Sequence, residues 1–572
     1  MKRNQLKIYS LLLCFALLFT VGCSQPASQE PSAPAEDPAA EVPESGMTAG
    51  TYETVCRGFY GDFDIAVTVS DSEILDIELG EYQETEAVGG VALRLMKDNI
   101  LAANTAGVDL ISGATVTTAA FRAAVIDSLR QANAPEALTA APEQPAMQEL
   151  AVETDVLVIG AGAAGFAAAI SAAENGADVT LIEKQDIVGG STIISAGIVY
   201  AALDESDVAP MVDYYMERAE QHADRELLTF YAENSIDTIA FLDSIGVHWM
   251  MNVPAGTAPQ PRAHFSMYED GTFMIGSALI EPLEEEARRL GVTILTGIKA
   301  TELLMEEGVV KGARAVSKDT NYTFSSEAVV MATGGFDASE TLKEQYMPVA
   351  AGDFPLSNKG NVGEGLLMGM DVGAATDFKN GAIGFQIVHG SLPNSGYNAS
   401  AMFAPLYVQT DGTFVAPGKD YPINYTNMKK VGDDLFYGLY DATGADSAQP
   451  AIDRGYGYQA DTVEALAEAA GMDAAKLQAA FNQGDDLVNA PFYAVEARPS
   501  TIGSMGGLLI NTRAEVLAEA DNQPIPGLYA AGEVANSAFY YQEYPSSGSS
   551  ISIGLTYGRE AGKNAAAWAL GE

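Results

Sequence analysis

Residues 155–183, DVLVIGAGAAGFAAAISAAENGADVTLIE, join an apolar strand pattern, a glycine-rich turn, a helical pattern and a second strand that ends in an acid. Gly160 permits a tight turn, Gly162 permits close approach of a pyrophosphate, and Gly165 permits close packing of the helix. Glu183 is placed to accept hydrogen bonds from an adenosine ribose. The stretch therefore predicts a dinucleotide-binding α/β domain, with NAD and FAD as rival ligands.

Later segments favour FAD. Residues 189–192 read GGST, residues 332–335 read ATGG after a strand pattern, and residues 527–533 read GLYAAGE. A helix predicted from residue 549 could stabilise negative charge with its N–H groups. Each glycine alone also fits an ordinary turn, but their order resembles the flavoproteins of the fumarate reductase family. The resemblance implies bound FAD and adds these binding residues: Gly190, Ser191, Thr333, Gly334, Gly335, Gly532, Glu533, Ser549, Ser550 and Ile551.

A second cofactor motif lies upstream. Residues 109–115, DLISGAT, resemble the D-x-x-[ST]-G-A-[ST] signature of the FMN-binding domain. The resemblance implies that a flavin transferase esterifies FMN phosphate to the hydroxyl of Thr115. Small Gly113 and Ala114 leave room for that reaction, and a following helical pattern offers N–H groups to the phosphate. The alternative is a polar turn that only caps the helix.

Composition divides the chain into segments. We predict a signal peptide at 1–22, a flexible tether at 23–50, an FMN-binding domain at 51–134, a linker at 135–150, an FAD-binding domain at 151–382 and 500–572, and a capping domain at 383–499. The capping segment is rich in loops and shows one clear helical pattern, at 463–470. The predicted fold is α/β: a Rossmann-like FAD-binding domain interrupted by an α+β capping domain and preceded by a small α+β FMN-binding domain.

The N-terminus predicts export. Three basic residues precede an apolar run at 8–21, which is too short for a membrane-spanning helix. The run ends at Thr20-Val21-Gly22-Cys23, which resembles a bacterial lipoprotein box with Thr20 in place of the usual Leu. We therefore expect a lipid on Cys23 and a location at the outer face of the cell membrane. The alternative is an ordinary signal peptide with an incidental cysteine.

Charge and residue counts limit the partners. The chain has 77 acidic and 30 basic residues, a net charge of −47, which argues against nucleic acid as a ligand. Beyond Cys14 and Cys23 only Cys56 remains, and the four histidines are scattered. We therefore predict neither a disulfide framework nor a metal site.

The substrate site resembles two branches of one superfamily over residues 153–568, that of fumarate reductase, urocanate reductase and 3-ketosteroid dehydrogenase. The enoate branch grips carboxylates with Arg and His and donates a proton from a second Arg. Here those positions read GTFVAP at 412–417 with Tyr421 at the donor place, GSMGG at 503–507, and YPSSGS at 544–549. Only His389 matches that branch, with Gly390 in place of its Pro.

The same positions resemble the ketosteroid branch. That resemblance implies that the Tyr544 hydroxyl and the Gly548 N–H hold a ketone oxygen and that Tyr421 donates the proton. His389 is either a substrate contact or a structural histidine. For each tyrosine the alternative is an ordinary packed amphipathic side chain.

We predict a reductase of a C=C bond conjugated to a carbonyl, an enone and steroid-like in the leading interpretation. The resemblance implies hydride transfer from the N5 atom of FAD, with electrons relayed by FMN on Thr115 from a membrane or extracellular donor. The first alternative is an enoate reductase of fumarate or urocanate type serving anaerobic respiration, with Arg454 or Arg498 as carboxylate ligands. The second is a non-catalytic electron carrier on the cell surface.

Overall fold

The computed structural model describes residues 47–142, 146–251, 262–273, 275–389, 397–418, 421–484 and 487–572, without the side chains of 397–399 and 421–422. The predicted signal peptide, Cys23 and the tether up to residue 46 lie outside these ranges. Within them, no helix combines the length and apolar character that a bilayer crossing needs.

The first domain is a three-stranded antiparallel sheet packed against two helices. Its second strand alternates buried apolar residues, among them Phe63, Ile65 and Val67, with more exposed ones, the period that a half-buried strand requires. The helices bury apolar faces that include Leu93 and Phe121. The elements are β1 (Gly50–Arg57), β2 (Asp62–Val69), β3 (Ile74–Leu79), α1 (Val91–Ala103) and α2 (Thr115–Gln131).

This domain extends beyond its predicted limits. Met47 and Leu138 are both buried in its core. The Thr105 hydroxyl donates to the Ala140 carbonyl at 2.7 Å, which ties the predicted linker back to the domain. The first strand of the next domain already begins at Gln148. The two ends of the predicted linker, 135–150, therefore belong to the neighbouring domains.

The dinucleotide domain is built on an eight-stranded sheet. Five of its strands run parallel: β9 (Thr293–Leu295), β5 (Val179–Ile182), β4 (Gln148–Ile159), β12 (Thr320–Met331) and β21 (Pro524–Ala530). Residues 156–159 of β4 are buried on both faces, as a central parallel strand requires. A smaller sheet of order β6-β8-β7 lies beside two long helices. The elements before the capping segment are β4 (Gln148–Ile159), α3 (Ala163–Glu174), β5 (Val179–Ile182), α4 (Gly190–Ile193), β6 (Ile198–Tyr200), α5 (Val208–Arg218), α6 (Arg225–Ser244), β7 (His248–Met250), β8 (Ala263–Met267), α7 (Ser277–Arg289), β9 (Thr293–Leu295), β10 (Lys299–Glu306), β11 (Val309–Val316), β12 (Thr320–Met331), α8 (Glu340–Tyr346), β13 (Phe354–Pro355) and α9 (Glu364–Asp371).

The capping segment contains more regular structure than its composition predicts. Five helices occur in its described part, not one: the helix at Val463–Ala470 matches the prediction, and the other four were not predicted. The predicted domain limits at 382/383 and 499/500 fall inside two long paired strands, β14 and β19. The elements are β14 (Thr376–Ile387), α10 (Tyr397–Met402), β15 (Leu406–Gln409), β16 (Phe414–Pro417), α11 (Tyr421–Val431), β17 (Phe436–Tyr440), α12 (Ala445–Ile452), β18 (Gly457–Ala460), α13 (Val463–Ala470), α14 (Ala474–Phe481) and β19 (Phe492–Leu508).

The C-terminal segment returns to the dinucleotide domain with β20 (Glu515–Leu517), β21 (Pro524–Ala530) and α15 (Ser549–Leu570). Helix α15 packs against α3 so closely that a side chain at Gly558 or Gly562 would collide with the α3 backbone. At its far end the Trp568 indole N–H donates to the carbonyl oxygen of Glu327 at 3.0 Å. The last helix thus completes the domain that residue 155 begins.

Candidate active site

The glycine-rich turn between β4 and α3 forms the first part of the site. Gly160 has a φ of +106°, and a side chain there would meet the backbone of Ala332. A side chain at Gly165 would meet the carbonyl oxygen of Gly160. Both positions require glycine, because the helix can approach the turn only without a Cβ atom.

An open gap lies in front of this turn. A Cβ atom added at Gly162 would meet nothing closer than the Gly189 carbonyl oxygen at 4.0 Å, and Gly190 faces Gly162 across the same gap. Thr333 follows Ala332, whose backbone faces Gly160. The buried hydroxyl of Thr333 has no hydrogen-bond partner in the described part of the chain. A glycine-lined gap at a helix N-terminus fits a pyrophosphate, so the residues present fit FAD.

Glu183 ends β5 beside this turn. Its side chain is buried, and its carboxylate accepts the N–H groups of Ala161 and Gln185, each at 2.9 Å. Burial raises the pKa of Glu183, while the two N–H groups oppose that rise. The glycine-lined gap formed by the turn at Gly160–Gly165 and by Gly189 and Gly190 is here called the FAD cradle. The Glu183 carboxylate is therefore held in place beside this cradle, where the ribose of FAD is expected.

Glu533 forms a second buried acid at the cradle. Its Oε1 atom accepts the N–H of Ser504 at 2.5 Å and the hydroxyl of that residue at 3.0 Å. The Asn361 amide donates to both Glu533, at 3.2 Å, and Asp337, at 3.4 Å. Burial, followed by the charge of Asp337, raises the pKa of Glu533 to about 8. Burial and the neighbouring Asp337 thus favour the neutral form of Glu533.

The remaining predicted FAD residues border the same cradle. Side chains at Gly334 and Gly335 would meet Asn361 and Glu533 respectively. Gly532 has a φ of +79° and faces the side chain of Ala164 in α3. The Ser191 hydroxyl accepts the N–H of Asn358 at 3.2 Å. Ser549, Ser550 and Ile551 form the first turn of α15, as predicted.

The structure distinguishes Thr115 from the other hydroxyls around it. Ser112 donates to Asp186, Thr117 donates to Glu84, and Thr118 donates to the Ala114 carbonyl. Thr115 is exposed, begins α2 and makes no side-chain hydrogen bond among the described residues. It is therefore the hydroxyl of this group that is free to form a phosphoester.

Glu84 supports the same site and was not predicted. It is buried, and its carboxylate accepts the Phe59 N–H at 2.6 Å and the Thr117 hydroxyl at 3.0 Å. It thereby ties the loop after β1 to the first turn of α2. Cys56 lies nearby in the core, where burial first and then the charge of Glu84 raise its thiol pKa to about 12. The thiol is therefore neutral and unreactive.

Tyr544 lies at the start of α15. Its side chain is buried, and its hydroxyl oxygen accepts the backbone N–H of Ser550 at 2.9 Å. Burial raises its pKa above the usual value for tyrosine, so the phenol keeps its proton. Gly548 has a φ of +91°, and a side chain there would come within 2.8 Å of the Ile198 carbonyl oxygen. Its N–H has no acceptor among the described residues.

Helix α11 reaches the same region from the capping segment. It begins at Tyr421, whose side chain lies outside the described part of the structure. The Thr426 hydroxyl, further along the helix, donates to the Gln542 carbonyl at 3.5 Å, two residues before Tyr544. The structure therefore joins the helix that begins at Tyr421 to the segment before Tyr544 by a contact between a side chain and a backbone carbonyl.

Buried charges hold α11 in this position. The Tyr425 hydroxyl and the Lys429 ammonium both reach the carboxylate of Asp353, each at 2.7 Å. The side chains of Lys429 and Asp353 are 11% and 6% exposed, so the ion pair is shielded from water. This anchor was not predicted, because its members are 76 residues apart in the sequence.

The other predicted substrate residues have different surroundings. His389 is half-buried, with its ring 5.5 Å from that of Tyr456. Arg498 pairs through Nη2 with Glu496 at 3.0 Å on the same strand, and its buried Nε has no hydrogen-bond partner in the described part of the chain. Ser504 stands where the enoate branch has a gripping histidine, and it is fully buried against Glu533. No group of three described acidic, histidine or cysteine residues could hold a metal ion.

Comparison with known proteins decides the family, because the FAD binding domain family matches residues 155–551. The chain belongs to this family. The FMN-binding domain family matches residues 58–130. The FAD binding domain protein is therefore a two-flavin enzyme that uses FAD and FMN, an FAD-dependent oxidoreductase of the class that acts on CH–CH groups.

Its relatives include reductases of unsaturated acids. A urocanate reductase of Eggerthella lenta is 28% identical over 92% of this chain and 93% of its own length. A probable fumarate reductase of Shewanella frigidimarina is 30% identical over 73% of this chain and 75% of its own. Among solved structures, 3-ketosteroid-Δ4-(5α)-dehydrogenase of Rhodococcus jostii RHA1, in complex with 4-androstene-3,17-dione, is 25% identical with a TM-score of 0.61, covering 74% of this chain and 100% of that one.

Proposed function

We propose that this protein is a membrane-anchored, extracytoplasmic reductase of C=C bonds conjugated to a carbonyl, with a ketone preferred over a carboxylate. One observation carries the proposal: the hydrogen bond from the Ser550 N–H to the Tyr544 hydroxyl oxygen, 2.9 Å long. This bond occupies an acceptor position of the phenol and leaves its proton free to be donated.

The reaction needs donors for a carbonyl oxygen that becomes negative. The Tyr544 hydroxyl remains protonated because burial raises its pKa. The Gly548 N–H is unpaired within the described structure and precedes the first turn of α15. Two such preorganised donors stabilise an enolate oxygen, and loss of one typically costs about 10²–10³ in rate.

The remaining groups supply hydrogen. When bound, FAD supplies the hydride that adds to the β-carbon of the substrate. Tyr421 then gives its proton to the α-carbon and recovers one from water. A phenol, with a reference pKa of about 10, suits this step better than a guanidinium, which holds its proton too tightly. In support of this role, Asp353 anchors the helix that begins at Tyr421, and Thr426 of that helix contacts Gln542, two residues before Tyr544.

Reduction is the proposed direction because the chain has a second flavin domain. Electrons from a membrane or extracellular donor would enter at Thr115, after a flavin transferase has esterified FMN to its hydroxyl. The lipid on Cys23 would hold the enzyme near a membrane donor, and the acidic chain would remain solvated outside the membrane.

An enoate reductase is the second candidate, and the named activities of the urocanate and fumarate reductase relatives favour it. It requires a cation for the substrate carboxylate. Arg498 is engaged by Glu496, and Ser504 replaces the gripping histidine. Those two observations favour the ketone.

The test is anaerobic turnover by the lipid-free enzyme carrying both flavins, with reduced methyl viologen as electron donor. Steroid and non-steroid enones, cinnamate, urocanate and fumarate are offered separately, and viologen oxidation is followed. We expect turnover with enones and none with the dicarboxylate. Turnover confined to acids would establish the enoate reductase. If none of the offered compounds is reduced, the protein would be a surface electron carrier.

Localisation is tested separately. We expect radiolabelled palmitate to be incorporated into the wild-type chain in the native host and not into Cys23→Ala. Equal labelling of both chains would refute the lipid anchor without affecting the catalytic proposal.

A further inference from the structure

The loop at 183–190, between β5 and α4, contacts both cofactor sites. Its two ends belong to the FAD cradle: Glu183 accepts the Ala161 N–H at 2.9 Å, and the Gly189 N–H donates to the Ala161 carbonyl at 2.7 Å. Gly190 faces the open gap at the glycine-rich turn. The ends of the loop are therefore fixed relative to FAD.

The middle of this loop belongs to the FMN domain. The Ser112 N–H and hydroxyl both donate to Oδ2 of Asp186 at 2.8 Å, and the Asp186 N–H donates back to the Ser112 hydroxyl oxygen at 2.8 Å. Ile187 is 7% exposed and is counted among the core residues of the FMN domain, with its Cβ 3.6 Å from a Cβ built on Gly113. We call these contacts of Asp186 and Ile187 the loop clasp.

Ser112 and Gly113 belong to the motif that ends in Thr115. The clasp therefore joins the FMN attachment motif directly to the loop that borders the FAD cradle. The contact of Gly113 with Ile187, together with the two residues from Thr115 to Gly113 and the three from Ile187 to Gly190, limits the Cα separation of Thr115 and Gly190 to roughly 25 Å. An ion pair also crosses this boundary, Lys318 with Asp109 at 3.2 Å, but both side chains are 59% exposed and the pair contributes little.

We propose that the loop clasp locks the FMN domain onto the FAD domain, so that Asp186 is a positioning residue for electron transfer between the two flavins. The proposal rests on the proposed relay through Thr115. In that step two electrons leave the reduced flavin on Thr115, which becomes oxidised, and reduce the FAD, with protons exchanged with water. The loop clasp would then set the distance between the flavin on Thr115 and the FAD, and electron transfer would need no movement of the FMN domain relative to the FAD domain.

The first measurement needs no substrate. The protein carrying both flavins is studied by time-resolved fluorescence anisotropy of the covalent FMN. In the wild type we expect the flavin to rotate with the whole chain; in Asp186→Ala we expect an added, faster rotation of the small domain. Lys318→Gln, which removes the exposed ion pair, serves as the matched control and should behave as the wild type. A wild-type rotation in Asp186→Ala would overturn the proposal.

The second measurement follows the electrons. The fully reduced protein is mixed with the best acceptor from the enone and acid panel, so that a first phase empties FAD and a second phase refills it from FMN. We expect Asp186→Ala to slow the second phase roughly tenfold or more, since it loses hydrogen bonds to a charged group, while the first phase and FAD content stay unchanged. Thr115→Ala should lack the second phase.

A slowed first phase would instead indicate damage to the FAD site, and an unchanged second phase would overturn the positioning role. If Asp186→Ala does not fold, Asp186→Asn keeps the size and part of the acceptor and should give an intermediate effect in both measurements. If no acceptor oxidises the protein, the proposed function fails while the anisotropy result still decides whether the clasp exists.

Discussion

Replacing Tyr544 by phenylalanine removes one buried oxygen atom at the start of α15 and keeps the ring. If the hydroxyl holds the substrate oxygen, its loss should lower kcat by about 10²–10³, or about 2.7–4 kcal/mol of transition-state stabilisation. The Ser550 N–H also loses its acceptor, so the free energy of unfolding should fall by about 1–3 kcal/mol. The same substitution thus predicts one kinetic and one thermodynamic effect.

Tyr540 supplies the matched control. Its ring lies 5.5 Å from that of Tyr544 at an angle of 69°, and its side chain is equally buried. Its hydroxyl has no hydrogen-bond partner among the described residues. Tyr540→Phe therefore makes the same chemical change beside the same helix without breaking a bond, and its melting temperature should stay near that of the wild type.

The assay is viologen-driven enone reduction under anaerobic conditions, with FAD content measured from absorbance and unfolding measured in urea. We expect Tyr544→Phe to keep its FAD and lose turnover, and Tyr540→Phe to keep both. An unchanged kcat in Tyr544→Phe would refute the oxyanion role. Equal losses in the two variants would show that general disturbance of the helix start, not the Tyr544 donor, explains the effect.

Three further outcomes are expected. Thr115→Ala should lose covalent flavin on denaturing gels while Thr115→Ser retains it, and covalent flavin in the alanine variant would refute the assignment. The pKa of Glu533 is raised from 4.5 to about 8 by folding, so its contribution to stability is complete below about pH 4.5 and is lost as the pH rises to 8. The melting temperature should therefore fall over this range in the wild type and fall less in Glu533→Gln. Parallel melting curves of the two proteins against pH would contradict the pKa shift. Asp353→Asn leaves the buried Lys429 ammonium without its counter-charge, so the free energy of unfolding in urea should fall by about 3–5 kcal/mol. The double variant Asp353→Asn/Lys429→Met should recover much of that loss. An Asp353→Asn protein as stable as the wild type would rule out the anchor.

Local patterns were sufficient for the α/β fold and both cofactor motifs. The turn at Gly160–Gly165 is continuous in sequence, and the glycine spacing reflects steric limits that operate within a few residues. The helix predicted at 463–470 matches α13, because that segment carries a clear apolar period. The FMN attachment motif is equally local.

Contacts between distant residues could not be inferred in this way. Asp186 and Ser112 are 74 residues apart, and Asp353 and Lys429 are 76 apart. Nothing in the local surroundings of Asp186 distinguishes it from a surface acid; its role arises only because the FMN domain packs against that loop. The other four helices of the capping segment were not predicted: three of them have eight or fewer residues, and packing rather than intrinsic pattern stabilises such short helices.

The position of α15 has a consequence for biosynthesis. The helix that supports the glycine-rich turn of residues 160–165 is made of residues 549–570, so the dinucleotide cradle is complete only after the ribosome has made those residues. Nearly four hundred residues separate α3 from the partner that buries it, a very non-local pairing that slows folding. A chain that crosses a membrane unfolded, as we propose for this one, would gain from such a delay, because the FAD-binding fold stays incomplete until residues 549–570 are made.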